Sequence, residues 1–311
     1  MKGKILITPR AFAKNGMKEI EKLKQQGWEI HLNDTGKSYS HEEFVKYAKD
    51  VDGIIIGVDI ADREMLKGCK NLKAIAKYGV GVDNIDLDTA KELGIKISRT
   101  VGSNSVSVAE HTIALMFACA KRIVDGAINV KNGKWNKNYE IELMGKKIGI
   151  IGFGNIGRHV GRLAQGIGMN VCAYDVFPIN EKYAKEHNIQ ICLLDELVRT
   201  SDVITIHTPL TSETKDMINA ERLKEMKTTA IVINAARGGI INEADLYEAL
   251  VNKEIFASGF DVFSTEPPKT DEKLLRLDNF ILTPHAASKT LEADMNTIKM
   301  SITNLITDIE G

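Results

Sequence analysis

Short apolar runs alternate with amphipathic stretches along almost the whole chain. In its first third, apolar runs predict strands at residues 4–8 (KILIT), Trp28–Leu32, Gly53–Gly57, Leu72–Lys77 and Lys96–Ser98. Helical spacing of apolar positions predicts helices between them, at Lys14–Gln26 before Gly27, His41–Lys49, Asp62–Lys67, and Leu87–Leu93 before Gly94. Strand and helix take turns throughout. That pattern belongs to an α/β chain whose parallel sheet is covered on both faces.

From Ser103 the pattern changes. In SNSVSVAEHTIALMFACAKR, Ser107 and Glu110 have the spacing of a capping box, and the helix behind them is apolar almost all round. Such a helix is buried, against another domain or against a second subunit. The latter is the ground for expecting a homodimer. The polar stretch Asp125–Gly145 reads as a loop with Trp135 and Tyr139 as anchors. Alternation then resumes, with strands predicted at Ile148–Ile151, Val171–Tyr174, Ile189–Leu193, Val203–His207, Ala230–Asn234, Phe256–Asp261 and Phe280–Thr283. Ala220–Met226 and Glu243–Asn252 are helices of this half, and residues 288–311 form one last amphipathic helix. The expected division is residues 101–285 as one domain, and residues 1–100 with 286–311 as a smaller one.

The stretch that carries a function lies between the strands at Ile148 and Val171. Gly152, Gly154 and Gly157 stand in G-x-G-x-x-G spacing and lead into a helix with Ile156, Val160, Leu163 and Ile167 on one face, ended by Gly168. The first glycine permits a tight turn, the second lets the backbone approach a pyrophosphate, and the third lets helix and strand pack closely. The pyrophosphate is then met by N–H groups at a helix N-terminus. Asp175 closes the next strand, where a carboxylate accepts hydrogen bonds from the adenosine ribose. Val176, Phe177 and Pro178 follow it, with no cation for a 2′-phosphate, so NAD is expected over NADP. The larger domain is thus a Rossmann-type nucleotide domain.

Composition narrows the partners. With 43% hydrophobic and 27% charged residues and a formal net charge of -1, the 311-residue chain offers no electrostatic reason for nucleic acid or a membrane surface. No apolar run has the length of a membrane span, and MKGKILITPR enters a strand directly. Cys69, Cys119, Cys172 and Cys192 stand singly, without the spacing of a zinc site or a disulfide framework. No metal is expected, and the compartment is expected to be the cytoplasm.

Three groups close strands of the larger domain, at the end where open α/β sheets bind ligands. Arg237 follows TAIVINAA and precedes two glycines, and its guanidinium can hold a carboxylate bidentately. Glu266 follows FASGFDVF, and His285 follows FILTP. A histidine exchanges protons near neutrality, and a carboxylate beside it fixes its tautomer. Together these supply a carboxylate clamp, an acid–base and its orienting acid. They suit reduction of a 2-oxo acid.

The motifs KYGVGVDNID (77–86), NSVSVAEHT (104–112), GFGNIG (152–157), HTPLTSET (207–214), NAARGG (234–239), GFDVFSTEPP (259–268) and TPHAAS (283–288) run in one order through the chain. In them the chain resembles the D-isomer-specific 2-hydroxyacid dehydrogenases, and within these the short phosphoglycerate dehydrogenase branch. The resemblance implies catalysis by Arg237, Glu266 and His285. It implies cofactor contacts at Asn155, Ile156, Asp175, His207, Thr208, Pro209, Ala235, Ala236 and Asp261, besides Gly152, Gly154 and Gly157. It makes the smaller domain a flavodoxin-like substrate domain. There Lys77, Tyr78, Gly79, Val80, Gly81 and Asn104 meet the substrate, the loop's N–H groups directed at a carboxylate. Relatives acting on phosphoglycerate often carry arginines at the loop start and at the preceding strand end, where this chain has Lys77 and Gly57-Val58-Asp59. The implied substrate is therefore 3-phosphoglycerate, or else hydroxypyruvate, glyoxylate or another small 2-oxo acid. The chain stops at Gly311, so a further regulatory domain is not expected. A distant alternative is an NAD-sensing corepressor, since such proteins can retain all three catalytic-type residues.

Overall fold

A computed structural model describes residues 2–311. The chain divides into two compact units, Met1–Asn104 with Lys289–Gly311, and Ser105–Ser288.

The first unit holds strands β1 (Gly3–Ile7), β2 (Trp28–Leu32), β3 (Gly53–Ile56), β4 (Ala74–Lys77) and β5 (Lys96–Arg99), all parallel, in the order β2-β1-β3-β4-β5. That is the flavodoxin-like order. Helices α1 (Ala11–Asn15), α2 (Met17–Gln25), α3 (His41–Ala48), α4 (Arg63–Gly68) and α5 (Leu87–Glu92) lie between strands. The single helix expected over Lys14–Gln26 is thus two. It is broken at Gly16, whose N–H turns back to the Phe12 carbonyl at 2.8 Å. Ser40 and Glu43 start α3 with a reciprocal capping box.

Two apolar layers sandwich this sheet. Leu6, Ile54, Ile56 and Ile75 face Phe44, Met65 and Leu66, while Ile5, Ile7 and Ile55 face Phe12, Ile20 and the last helix of the chain. Gly53 marks how closely that helix seats. A Cβ there would lie 2.6 Å from Ile309 Cδ1, so the strand carries no side chain at that point.

The second unit begins with α6 (Ser105–Ala120) and α7 (Ile123–Lys131). Its core is β6 (Lys147–Ile151), α8 (Asn155–Gly166), β7 (Asn170–Tyr174), α9 (Glu181–Glu186), β8 (Ile189–Ile191), α10 (Leu194–Thr200), β9 (Val203–Ile206), α11 (Ala220–Glu225), β10 (Ile231–Asn234), α12 (Glu243–Val251), β11 (Ala257–Phe260) and β12 (Phe280–Leu282). Helix α13 (Leu291–Glu310) belongs to the first unit. The second sheet is parallel in the order β12-β11-β10-β9-β6-β7-β8. The order reverses between β6 and β9, the switch point at which a doubly wound sheet opens a crevice. Both sheets agree with the expected α/β class.

Three expectations for this unit are corrected. Ser107 is not a cap, because α6 already begins at Ser105; Ser107 is buried, and its hydroxyl donates to the Ala287 carbonyl at 2.6 Å. The stretch expected as a loop from Asp125 begins inside α7. That helix buries none of its residues, so its apolar positions offered no periodic stripe to read. Trp135 and Tyr139, expected as anchors, are 80% and 98% exposed. The apolar face of α6 is answered within its own unit. Ala109, Leu115, Met116 and Cys119 pack with Ile150, Val160, Ile231, Ile233 and Ala257. Gly259 lets the helix come down on β11, since a Cβ there would stand 3.0 Å from Cys119 Sγ.

Candidate active site

The glycine turn after β6 is built by removing side chains. Gly152 has φ +91°, and a Cβ on it would meet the His207 carbonyl at 2.7 Å. A Cβ on Gly157 would lie 2.2 Å from the Gly152 oxygen. Around Gly154, by contrast, the space is open. Gly154 caps α8 without a side chain, and no acid sits in the first turn, so the leading N–H groups of Asn155, Ile156 and Gly157 have no helical partner. Asp175 braces this turn, accepting from the Phe153 N–H at 2.7 Å and the Phe177 N–H at 3.0 Å.

Beside the turn, His207 Nε2 meets Thr205 Oγ1 at 3.0 Å, while His207 Nδ1 and Thr208 Oγ1 are buried without a hydrogen-bond partner. His207 as a whole is only partly covered, but Nδ1 is fully enclosed and Nε2 is bonded to Thr205. Desolvation therefore lowers its pKa to about 3 and keeps it neutral. Two orphaned polar atoms next to an open cradle of N–H groups are what a dinucleotide would satisfy. Pro209, Ala235 and Ala236 continue this rim, partly or fully exposed at the ends of β9 and β10.

The turn after β10 carries Arg237. Fully buried Asn234 staples it, donating to the Arg237 carbonyl at 2.9 Å and accepting from the Ala236 N–H at 3.0 Å. Arg237 Nη1 donates to the Ala236 carbonyl at 2.7 Å. Gly238 then presses on the turn after β11, where a Cβ would lie 2.1 Å from the Phe263 carbonyl carbon. This backbone contact joins the arginine turn to the one holding Glu266. Glu243, at the start of α12, pins the neighbouring Ser264 through its N–H at 2.8 Å and its hydroxyl at 2.5 Å.

Glu266 and His285 come together as the sequence leads one to expect. Glu266 Oε1 accepts the Phe263 N–H at 2.9 Å, and Oε2 lies 2.7 Å from His285 Nδ1. Nδ1 therefore carries the hydrogen toward the carboxylate, leaving Nε2 to exchange a proton. His285 has φ +51°, a left-handed backbone that is rare for a residue with a side chain. The turn is held there by Asp261, which is 1% exposed. Its oxygens accept from Thr283 Oγ1 (2.5 Å), the Ala286 N–H (2.9 Å) and the Ala287 N–H (2.8 Å). Burial pushes the Asp261 carboxyl up, but bonds from His111, Thr283, Ala286 and Ala287 outweigh it and hold its pKa below the usual range. Asp261 thus braces its own turn through both oxygens.

In the first unit, the glycine loop after β4 is partly committed. The Tyr78 N–H bonds to the Ile56 carbonyl at 2.9 Å, and the Gly79 N–H bonds to the Lys77 carbonyl at 3.0 Å and to Thr100 Oγ1 at 2.9 Å. Of the described N–H groups from Tyr78 to Gly81, only those of Val80 and Gly81 stay unbonded, half of those expected to face a carboxylate. The Tyr78 ring turns inward to Phe12, and its hydroxyl donates to Asp294 at 2.9 Å. Lys77 Nζ donates to the Gly57 carbonyl and to Asn84 Oδ1, both at 2.6 Å. Asn104 is partly buried at the end of this unit. A cleft of about 410 Å3 opens over the strand ends, lined among others by Arg10, Asp59, Lys77 and Lys289.

Residues 113–287 match the family described as D-isomer specific 2-hydroxyacid dehydrogenase, NAD binding domain. The hydroxypyruvate reductase of Thermotoga maritima is 41% identical over 282 residues, covering 89% of this chain and 90% of that one. The chain belongs to the D-isomer specific 2-hydroxyacid dehydrogenase family. A D-3-phosphoglycerate dehydrogenase from Archaeoglobus fulgidus is 41% identical over 280 residues, 89% of this chain but only 52% of that protein. The chain therefore spans about half the length of that relative. Among solved structures, the TT0316 protein from Thermus thermophilus superposes with a TM-score of 0.86 at 32% identity, covering 99% of this chain and 97% of that one. Membership identifies the second unit as the family's NAD-binding domain, and the cradle around Gly154 fits that cofactor. No helix among the described residues is long and apolar enough to cross a membrane. Nor does any cluster of His, Cys, Asp and Glu among them suit a metal.

Sequence reasoning passed over His111, Asn234 and Glu243. The first was legible only as part of a motif. Its spacing from Ser107, four residues on one helix, puts both on one face, but nothing in the pattern says what that face meets.

Proposed function

We propose that this protein is an NAD-dependent dehydrogenase interconverting a small D-2-hydroxy acid and its 2-oxo acid. The observation that carries the reading is the 2.7 Å pair of His285 and Glu266 at the carboxyl end of the sheet that bears the glycine turn. Bound NADH supplies the hydride. His285 gives a proton from Nε2 to the carbonyl oxygen in reduction and takes it back in oxidation. Glu266 holds the imidazole by Nδ1 and balances its charge. Arg237 grips the substrate carboxylate, and Val80 and Gly81 offer N–H groups to a carboxylate. Asp175 selects NAD over NADP.

The leading substrate is 3-phosphoglycerate, because Arg10, Lys77 and Lys289 bring positive charge to the cleft of the first unit. A second reading, hydroxypyruvate or glyoxylate, is favoured by two details there. Asp59 also lines that cleft and has one oxygen buried without a partner, while Lys77 is engaged by Gly57 and Asn84. A carboxylate opposes a phosphate. Initial rates with 3-phosphohydroxypyruvate, hydroxypyruvate, glyoxylate and pyruvate, each with NADH and NADPH, separate these readings. No turnover with any of them would refute the assignment.

The functional form is a homodimer of the cytoplasm. Ile123, Val124, Ile128 and Val130 on α7 are exposed, as are Trp135 and Tyr139, and these apolar groups support self-association. All four cysteines are free, which suits a reducing compartment. A monomeric mass by light scattering at micromolar concentration would refute the dimer.

A further inference from the structure

We propose that His111 is a positioning residue for the proton-transfer step, acting from α6 through Thr283 and Asp261 on the backbone turn that presents His285. The inference rests on the reading of His285 as the acid–base.

His111 Nε2 lies 2.9 Å from Thr283 Oγ1 and 3.4 Å from Asp261 Oδ1. The Thr283 hydroxyl has one proton, and at 2.5 Å that proton goes to Asp261. Its oxygen must therefore accept from His111, so the hydrogen sits on Nε2. Asp261 in turn receives the N–H groups of Ala286 and Ala287, while Thr283 N–H bonds to the Phe260 carbonyl and its carbonyl accepts from the His285 N–H, both at 2.9 Å. The anchors lie on both sides of His285, and none of them touches its imidazole.

What they hold is a backbone that would otherwise relax. A non-glycine residue at φ +51° is strained and persists only where its surroundings over-determine it. Ser107 adds a bond to the Ala287 carbonyl one helical turn from His111, so α6 grips the turn twice. The His111 side chain is 24% exposed against 1% for Asp261. The network thus runs from a partly open histidine to a fully buried carboxylate. With the donor removed, Thr283 and Asp261 lose a partner, and the left-handed turn loses the restraint that fixes the angle at which His285 faces Glu266.

The test compares His111→Leu, which has no donor, with His111→Gln, whose amide nitrogen reaches the same place. His111→Leu should lower kcat about 10–100-fold with little change in KM for NADH, the cost of a small misplacement of a catalytic group. His111→Gln should recover most of that loss. If the leucine variant does not fold, His111→Asn, with a shorter reach, takes its place and should show the same order. The double variant His111→Leu/His285→Ala should be no slower than His285→Ala alone. Multiplying losses would overturn the proposal, as would equal kcat for the leucine and glutamine variants. A readout independent of turnover separates this proposal from the acid–base reading. The downfield proton of His285 Nδ1, bonded to Glu266, should broaden or vanish in His111→Leu and persist in His111→Gln. An active His285→Ala enzyme would overturn the acid–base reading, while an unchanged Nδ1 signal in His111→Leu would overturn the positioning role.

Discussion

The glycine turn after β6 and the histidine turn after β12 lie at the same end of one sheet and are shaped by opposite means. In the first, side chains are absent: Gly152 and Gly157 have backbone atoms where a Cβ would stand, and the bracing carboxylate of Asp175 is partly exposed. In the second, a residue with a full side chain adopts a glycine-like backbone, and buried polar groups just after β11 and on α6 hold it there. A site for a large common cofactor is made by giving it room. A site for one proton is made by restricting a single side chain.

The contrast predicts that adding one methyl group is worse than deleting a functional one. Gly157→Ala, with its Cβ 2.2 Å from the Gly152 oxygen, should either fail to fold or lose NADH binding almost entirely. Gly238→Ala, aimed 2.1 Å from the Phe263 carbonyl carbon, should do the same to turnover. NADH fluorescence titration and thermal melts check both, and wild-type behaviour of either would mean the turns are less tightly joined than they stand here.

Deleting the acid–base comes next. His285→Ala should lose about 10²–10⁴-fold in kcat while still binding NADH. In the wild type, 2-oxo acid reduction needs the imidazolium and oxidation needs the neutral ring. Reduction consumes the proton that oxidation releases, so reduction should slow, and oxidation quicken, as pH rises. Parallel pH–rate profiles in the two directions would contradict this assignment.

A smaller change is expected at Asp175. Asp175→Ala should weaken NADH through the loss of the brace on Phe153, and should narrow its advantage over NADPH by about tenfold. The ratio of kcat/KM for the two cofactors measures it. Least visible is the effect of His207 on stability. Its folded pKa of about 3 is depressed below the ordinary value, so below about pH 6.5 the unfolded chain binds a proton that the folded one refuses. Stability should fall as pH drops from there toward 3, by at most about 1.4 kcal/mol per pH unit from this group. Urea midpoints for wild type and His207→Asn across that range should converge at neutral pH and diverge in acid. Equal acid slopes would show that His207 is solvated.

Local periodicity was sufficient for much of this protein. Apolar runs alternating with stretches of period 3.6 located both sheets, glycine spacing located the cofactor turn, and the strand ends supplied Arg237, Glu266 and His285 as candidates. These features depend on neighbours close in sequence, so the sequence carries them openly. The same logic failed where a segment has no buried face to pattern, as in α7, or where one glycine interrupts a helix, as at Gly16. Only the tertiary structure decided that Ser107 is a buried anchor and not a cap, and that the apolar α6 is covered by β10, β11 and α8. It alone committed half of the loop after β4 to internal bonds and joined His111 to Asp261. Those contacts bring together residues far apart in the chain, and a hydrogen bond between distant residues leaves no period in the sequence.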